Sequence, residues 1–132
     1  MTEEILERTI LDTSVSIGPA MVPVPGIVAI SAASLAELHF GVLVATDAET
    51  RAERLRRLSV LQRHFDALPI DESVAASYGQ LASAVVAAGR QPHRRTMDLL
   101  IAATAHAHGA TLYTRNPDDF MGLEEFVPVV AV

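Results

Sequence analysis

Four short apolar runs alternate with longer stretches in which apolar residues recur every three or four positions. Short apolar runs rich in β-branched residues are typical of strands buried on both faces. We predict strands in the segments RTILDTSVSI, IVAIS, ATLYT and FVPVVAV. Asp12 lies at or just beyond the carboxyl end of the first strand. The last strand is expected at a sheet edge, because Pro128 has no N–H to donate.

The longer stretches have the apolar spacing of amphipathic helices. One helix should follow the second strand, with Ser31 or Ser34 as its N-cap. A second is predicted from Glu49 to Ala67, before a brief extended link, LPID. A third should end at Gly89. Their apolar faces are marked by Leu35, Leu38 and Val42, by Leu55, Leu58, Leu61 and Phe65, and by Val74, Tyr78, Leu81 and Val85.

A fourth helix is predicted from Asp98 to His108, with Thr96 as its cap. The segment GPAMVPVPG is too rich in Pro and Gly for a regular element and should be a loop. RQPHRR is predicted to be a basic loop. In RNPDDF, Pro117 can start a short helical turn.

Strands that alternate with helices predict an α/β fold with a central, mainly parallel sheet. No internal repeat is visible, and 132 residues suit one domain with a sizeable core. We therefore expect a single domain over residues 1–132.

Charge and composition exclude several kinds of site. The net charge of −6 argues against a protein that binds nucleic acid through a broadly basic surface. With no cysteine, the chain has no disulfides, thiolate nucleophiles or cysteine zinc sites. With no lysine, it has neither a Walker A loop nor a Schiff-base site. The N-terminal MTEEILERTI has no apolar segment, and prolines interrupt the apolar stretch 20–38, so we expect a cytoplasmic protein.

Carboxylates follow the predicted strands or open the helices beside them. Ligands of a parallel sheet bind at the carboxyl ends of its strands. Alone, Asp98 is explained as a first-turn acid stabilised by the helix dipole, and Asp118 and Asp119 are explained as turn residues. Asp12 is harder to explain, because an ionised carboxylate at the end of a buried strand is costly without a partner. The topology can gather Asp12, Glu37, Asp98 and the 116–119 loop, where a divalent cation would relieve their repulsion. Oxygen ligands of this kind select Mg²⁺ or Mn²⁺.

Three segments, ILDTSV, AISAASLAELHFGV and MDLLIAATAHAHGATLYTRNPDDF, closely resemble the PIN-domain ribonucleases, in particular the VapC toxins of bacterial VapBC toxin–antitoxin pairs. The resemblance covers nearly the whole chain, from about Thr9 to Val130. It implies a PIN-like three-layer α/β/α fold. The order and separation of the three segments carry the signal, since a D-T-S triplet alone is weak.

The resemblance implies catalytic and metal-binding roles for Asp12, Glu37 and Asp98. For the fourth position we favour Asp119, because many relatives carry an acid where this chain has Asn116, and an acid also recurs just before the Phe. We assign Asn116 as a polar site residue, and Asp118 is the least favoured of the three. The cofactor implied is Mg²⁺ (or Mn²⁺), with one or two ions. The chain departs from the family in its shortened Pro-rich 19–26 loop and at Val15, which stands near a position that is often aromatic.

Substrate contacts are expected around the acids. Thr13 and Ser14 match small hydroxyl residues beside the family's metal site. Arg94, Arg95 and Arg115 could hold an RNA backbone, although Arg94 and Arg95 are equally well explained as solvated loop residues. The arginines at 51, 54, 56 and 57 are better explained as a solvated helix face than as contacts for RNA or the antitoxin, which stay the alternative. His106 and His108, two apart on a helix, point in different directions and cannot share an ion.

The resemblance implies hydrolysis of RNA phosphodiester bonds, a homodimer, and a VapB-type antitoxin whose segment blocks the site. An alternative is a catalytically inert PIN scaffold that acts through its partner. A phosphatase or signalling receiver with an aspartate nucleophile is disfavoured, because such sites generally use a lysine. The sequence does not identify the RNA that is cut.

Overall fold

Five strands form the centre of the molecule in a computed structural model that describes residues 7–16 and 24–132. The strands are β1 (Arg8–Leu11), β2 (Ile27–Ser31), β3 (Asp66–Leu68), β4 (Thr111–Thr114) and β5 (Val129–Ala131). Their order in the sheet is β3-β2-β1-β4-β5, and every pair is parallel. The predicted α/β fold is confirmed.

The helices are α1 (Thr13–Ser16), α2 (Ala32–Leu43), α3 (Ala48–His64), α4 (Glu72–Ala87) and α5 (Thr96–Ala107). Two short 3₁₀ helices cover Pro92–Arg95 and Pro117–Phe120, so the predicted basic loop contains a helical turn and the turn expected at Pro117 is confirmed. No helix in the described ranges is long and apolar enough to cross a membrane.

Alternating side chains along the central strands supply two cores, one on each face of the sheet. Ile10 and Leu112 belong to the larger core, which also holds the buried residues of α4 and α5. Their neighbours Leu11 and Tyr113 belong to the smaller core, with Ile30. Successive residues of a strand point to opposite faces, so apolar side chains at consecutive positions require cover on both sides. This is why the strands are short continuous apolar runs.

The position of β5 confirms the predicted edge strand. The carbonyl of Pro128, just before β5, accepts a hydrogen bond from the Leu112 amide of β4 at 2.9 Å. Proline can accept toward its one neighbouring strand but cannot donate, so an edge accommodates it.

The helix predicted from Glu49 to Ala67 was wrong at its end. α3 stops at His64, Phe65 has extended backbone angles, and β3 follows at once. Pairing of β3 with β2 and packing of Phe65 against the smaller core outweigh the helical spacing. Leu55, predicted on the apolar face, is 52% exposed. Residues 18–23 of the predicted Pro-rich loop lie outside the described part of the chain.

Candidate active site

Asp12 lies at the carboxyl edge of the sheet, directly after the central strand β1. Its amide donates to the Tyr113 carbonyl at 2.9 Å, which extends the pairing with β4 by one residue and fixes the backbone. The residue is only 5% exposed. Its Oδ2 accepts hydrogen bonds from Ser14 Oγ at 2.7 Å and Thr114 Oγ1 at 2.9 Å. Two hydroxyl donors therefore hold the carboxylate in one orientation and offset the cost of its burial.

Thr114 was not identified from the sequence as a site residue. It is the last residue of β4 and fully buried. Its hydroxyl accepts from the Asn116 amide at 2.9 Å while it donates to Asp12. The available signal was a hydroxyl residue at the carboxyl end of a predicted strand, but only the pairing of β1 with β4 shows that this strand lies beside Asp12.

Glu37 faces the same edge from α2. Ser31 is the N-cap of this helix, and its Oγ accepts from the Ala33 amide. Ser34, the other predicted cap, instead lies 2.9 Å from Thr13 Oγ1. The Thr13 hydroxyl also lies 2.8 Å from Glu37 Oε1. Thr13 and Ser14, predicted to contact substrate, thus contact carboxylates instead: Thr13 contacts Glu37 and Ser14 contacts Asp12.

Asp98 shows that the four predicted acids are close enough to interact. Burial raises the pKa of its carboxyl to about 6, and the charges of Asp119, Asp12 and Glu37 add to the increase. The charge of Arg95 opposes it. Ionising Asp98 is costly because three like charges surround a half-buried group. Asp98 therefore lies within electrostatic reach of the other three predicted acids, and we call these four residues the acid cluster.

The predicted cap of α5 was wrong. Thr96 is the first residue of the helix, and Arg95 precedes it without a side-chain cap hydrogen bond. The Thr96 hydroxyl donates to the His93 carbonyl at 3.1 Å, because the preceding 3₁₀ turn brings that carbonyl within reach. Asp98 itself is in the first turn, as predicted.

The loop after β4 places its two adjacent acids, Asp118 and Asp119, in different surroundings. Asp119 is half-buried, and its amide donates to the Asn116 carbonyl at 3.1 Å. Arg95 Nη1 donates to the Asp119 carbonyl at 2.8 Å. Asp118 and Asn116 are exposed. The loop therefore brings Asp119 within electrostatic reach of Asp98, and Asn116 contributes backbone groups to the network.

The predicted arginines occupy different surroundings. Arg94 is exposed in the 3₁₀ turn, and Arg95 lies beside the acid cluster. The backbone amide of Arg115 donates to Ser14 Oγ at 3.1 Å, so this residue also borders the cluster. On α3, Arg56 and Arg57 form salt bridges with Glu53. Arg51 and Arg54 donate to backbone carbonyls.

His106 packs between elements away from the acid cluster. Its Nδ1 lies 2.7 Å from Ser77 Oγ of α4, and its ring meets Phe126 edge-on with centroids 6.1 Å apart. This contact joins the first half of α4 to the end of α5.

The donor set of the acid cluster suits a hard divalent cation, since every candidate ligand is a carboxylate oxygen. Across residues 7–16 and 24–132, however, no three Asp, Glu, His or Cys side chains are placed so that they could hold one ion. Mutual repulsion favours separated carboxylates, and a cation between them would reverse that preference. The residue types and charges fit a metal, and binding would require the side chains to turn toward it.

A groove opens from the acid cluster toward α3. The cavity between α2 and α3 has a volume of about 690 Å³. Thr13 and Glu37 line its end at the cluster. The other lining residues are Leu38, Gly41, Glu49, Thr50, Glu53, Arg54 and Arg57.

Comparison with known proteins gives matches of sequence and of structure. A family model described as the PIN domain matches residues 20–122. Ribonuclease VapC8 of Mycobacterium tuberculosis is 39% identical over 109 residues, which cover 80% of this chain and 96% of that protein. Ribonuclease VapC5 of the same organism is 34% identical over 121 residues, covering 87% of each chain.

Solved structures agree with the sequence matches. The crystal structure of VapBC-5, a member of the VapBC family of toxin–antitoxin systems from Mycobacterium tuberculosis, aligns with a TM-score of 0.84 at 34% identity. That alignment covers 95% of this chain and 98% of the other. The structure of FitAcB from Neisseria gonorrhoeae aligns with a TM-score of 0.75 at 31% identity, covering 92% and 95%.

Proposed function

This chain belongs to the PIN-domain family, and we propose that it is a metal-dependent endoribonuclease toxin that hydrolyses RNA phosphodiester bonds and is neutralised by a cognate antitoxin. The observation that carries the proposal is the acid cluster at the carboxyl edge of the sheet, where Ser14 and Thr114 hold Asp12 and Thr13 contacts Glu37. Relatives named ribonucleases VapC8 and VapC5 support the RNA substrate. The resemblance to the VapBC-5 toxin–antitoxin structure supports the antitoxin.

The four acids share the role of metal ligand in this proposal and differ in how the protein holds them. Asp12 is held by two hydroxyls and presents a fixed carboxylate. Glu37 is held by Thr13. Asp98 and Asp119 complete the set and are free of such hydroxyl clamps in the contacts described above. Together these residues would hold Mg²⁺ or Mn²⁺, which when bound lowers the pKa of a coordinated water and stabilises the charge that develops on the phosphate.

The protein contributes orientation and charge. With a pKa of about 6, Asp98 is mostly ionised at neutral pH and gains a protonated fraction as the pH falls. A carboxylate of the set can orient the attacking water toward the phosphorus atom and accept its proton. Water attacks the phosphorus atom and the bond from phosphorus to the 3′ oxygen breaks. The 3′ oxygen takes up a proton, so the products carry 5′-phosphate and 3′-hydroxyl ends. The acid cluster repels RNA until a cation fills it, which fits a chain with a net charge of −6.

The arginines at the rim supply the opposite charge. Arg94 and Arg95 lie on one side of the acid cluster, and Arg115 follows Thr114 at the end of β4. Guanidinium groups bind phosphate oxygens through paired hydrogen bonds. We propose that these side chains, with Asn116, contact the RNA backbone beside the scissile bond.

The groove between α2 and α3 is suited to a segment of the antitoxin. It begins at Glu37, so a chain lying in it would reach the acid cluster and obstruct RNA. Exposed apolar residues of α2 and its end, including Phe40 at 66% and Leu43 at 75%, give further surface for a partner or for a second copy in a homodimer.

An inert PIN scaffold that acts only through its partner is the competing function. The observation in its favour is that no described group of three ligand side chains is placed to hold an ion. The two functions differ in whether the isolated chain binds a cation.

The test is to titrate the purified chain with Mn²⁺ in a calorimeter and to follow cleavage of total RNA with Mg²⁺, Mn²⁺ or chelator. We expect the wild-type chain to bind Mn²⁺ saturably and to cleave RNA unless chelator is present. Asp12→Asn should lose both the binding and the cleavage while its circular dichroism spectrum stays that of the folded wild-type chain. Absence of Mn²⁺ binding and of cleavage in the wild-type chain would establish the inert scaffold. Sequencing of the RNA 5′ ends then identifies the target.

A further inference from the structure

A second concave surface, lined by arginine, lies beside Asp119, because its lining residue Arg95 donates to the Asp119 carbonyl. Its volume is about 360 Å³. We call it the arginine pocket, and its lining residues are Gly89, Arg90, Gln91, Arg94 and Arg95. Three of the ten basic residues of an acidic chain therefore line one small cavity.

The turn between α4 and α5 builds this pocket. Gly89 ends α4 with φ of +78°, a left-handed conformation that strains residues with a Cβ. The Arg90 amide then donates to the Val85 carbonyl at 3.0 Å, a six-to-one hydrogen bond that reverses the chain at the helix end. Pro92 starts the following 3₁₀ turn, which carries Arg94 and Arg95 back toward Arg90. A locally hydrogen-bonded connection thus places all three arginines around one cavity.

The arginines of the pocket form no close ion pair with a carboxylate, although the charge of Arg95 reaches Asp98. None of the three forms a salt bridge with an acid of the described residues, unlike Arg56 and Arg57 on α3. Arg90 Nη1 makes a long contact of 3.5 Å to the Met121 carbonyl, and Arg95 Nη1 donates to the Asp119 carbonyl. Both contacts are to backbone oxygens, so neither places a carboxylate against the guanidinium group. Arginine side chains gathered in this way favour binding of an anion.

The arginine pocket adjoins the acid cluster. Arg95 belongs to the pocket, contacts the backbone of Asp119 and lies close enough to Asp98 to affect its ionisation. A phosphate in the pocket would therefore lie beside a phosphate at the acid cluster. A single strand of RNA presents phosphates at regular intervals, so one strand can occupy both places.

We propose that the arginine pocket binds a backbone phosphate of the RNA strand next to the phosphate that is cleaved, with Arg90 and Arg94 as its main ligands. The inference rests on the proposed function and extends it by stating that the RNA strand runs past Arg95, from the acid cluster to the arginine pocket. It adds Arg90, which was not identified from the sequence, to the residues that contact RNA. Arg95 is left out of the test variants, because its bond to the Asp119 carbonyl also supports the loop after β4.

The experiment measures how binding of a short, fluorescently labelled polyuridylate depends on salt, by anisotropy. All proteins carry Asp98→Asn, so that binding is followed without turnover. The test protein adds Arg90→Ala and Arg94→Ala. The matched control adds Arg63→Ala. Arg63 is exposed in the last turn of α3, just before the amino end of β3, whereas the acid cluster lies at the carboxyl ends of the strands.

We expect the double variant to bind more weakly and to flatten the plot of log K against log salt by about 0.7 for one lost single-strand phosphate contact. The control should keep the slope of the Asp98→Asn background. Lysines at 90 and 94 should also keep the slope, because each retains a positive charge. A double alanine variant with the background slope, or lysine variants as flat as the alanine ones, would overturn the inference.

The background protein distinguishes this inference from the proposed function. If Asp98→Asn cleaves the polyuridylate as fast as the wild-type chain does, the catalytic proposal fails. The salt slopes, read with chelator present, still decide whether the arginine pocket holds a phosphate.

Discussion

Glu53 and Asp98 are carboxylic acids whose pKa values the folded protein shifts in opposite directions. Glu53, exposed on α3, accepts hydrogen bonds from Arg56 and Arg57, which lower its pKa to about 2. Asp98 is half-buried among other carboxylates, and burial with their charges raises its pKa to about 6. The Glu53 carboxylate is paired with two arginines, whereas the carboxylates of the acid cluster form no salt bridge within the described residues.

This difference indicates which charged groups can bind a ligand favourably. A surface ion pair contributes little to stability, and because its charges are already paired, it gains little from contact with a ligand. A set of unmatched carboxylates raises the free energy of the folded state, and a cation that relieves the repulsion binds with that energy as part of its affinity. The arginine pocket is the same case with the opposite sign. Carboxylates and arginines that form no salt bridge with each other within the described residues therefore lie side by side at the acid cluster and the arginine pocket.

The largest expected effect is on cleavage. Asp98→Asn keeps the size of the side chain and removes its charge. It should lower kcat by at least about 100-fold, since even loss of an outer-shell partner costs about 10- to 100-fold at metal sites. The matched control is Glu72→Gln, which alters an exposed first-turn acid of α4. Equal activity of the two variants in a cleavage assay would remove the distinction between the acid cluster and ordinary helix-capping acids.

A smaller effect is expected from the group that orients Asp12. Thr114→Val keeps the shape and removes the hydroxyl that donates to Asp12 Oδ2 and accepts from the Asn116 amide. Activity should fall by about 10-fold and Mn²⁺ affinity should fall with it. Thr114→Ser retains both hydrogen bonds and should recover most of the activity. If valine and serine give the same kinetics and the same Mn²⁺ titration, the hydroxyl does not orient the ligand.

The smallest effect concerns stability without metal. A carboxyl whose folded pKa is raised binds its proton more tightly when folded, so its contribution falls as the pH rises from about 3.8 to about 6. Solvent screens the repulsion at this partly exposed carboxylate, so we expect its removal to stabilise the fold by about 1 kcal/mol at pH 7. In a domain of this size that gain in the free energy of unfolding raises the Tm by roughly 4 °C for Asp98→Asn. The gain should shrink toward pH 4.

Glu53→Gln is the control for that measurement, with the opposite sign. The lowered pKa of Glu53 gives a contribution that is present above about 4.5 and is lost as the pH falls toward about 2. Its removal should not raise the Tm at pH 7. Thermal melts in chelator, monitored by circular dichroism, compare the two variants. A Tm increase in both would mean that relief of net negative charge, and not of local repulsion, explains the result.

The sequence predicted much of the fold because its local signals agree with the tertiary structure. The apolar runs identified β1, β2, β4 and β5, and Gly89 marked the end of α4. β3 was missed because its three residues have no pattern of their own and form a strand only by pairing with β2. The Thr96 cap was wrong because the preceding 3₁₀ turn, invisible in the local pattern, gives that hydroxyl a different partner.

By itself, the sequence determined the α/β alternation, the identity of the four acids and their positions just after strands or in the first turns of helices, since these follow from local periodicity and residue type. Their catalytic and metal-binding roles remain predictions. Only the tertiary structure decided that Thr114 holds Asp12, that Asp119 rather than Asp118 acts on Asp98, and that Arg90 joins Arg94 and Arg95. Hydrogen bonds and Coulomb interactions depend on distances across the sheet and between helices, and residues about 100 positions apart in the chain acquire such distances only when the chain folds.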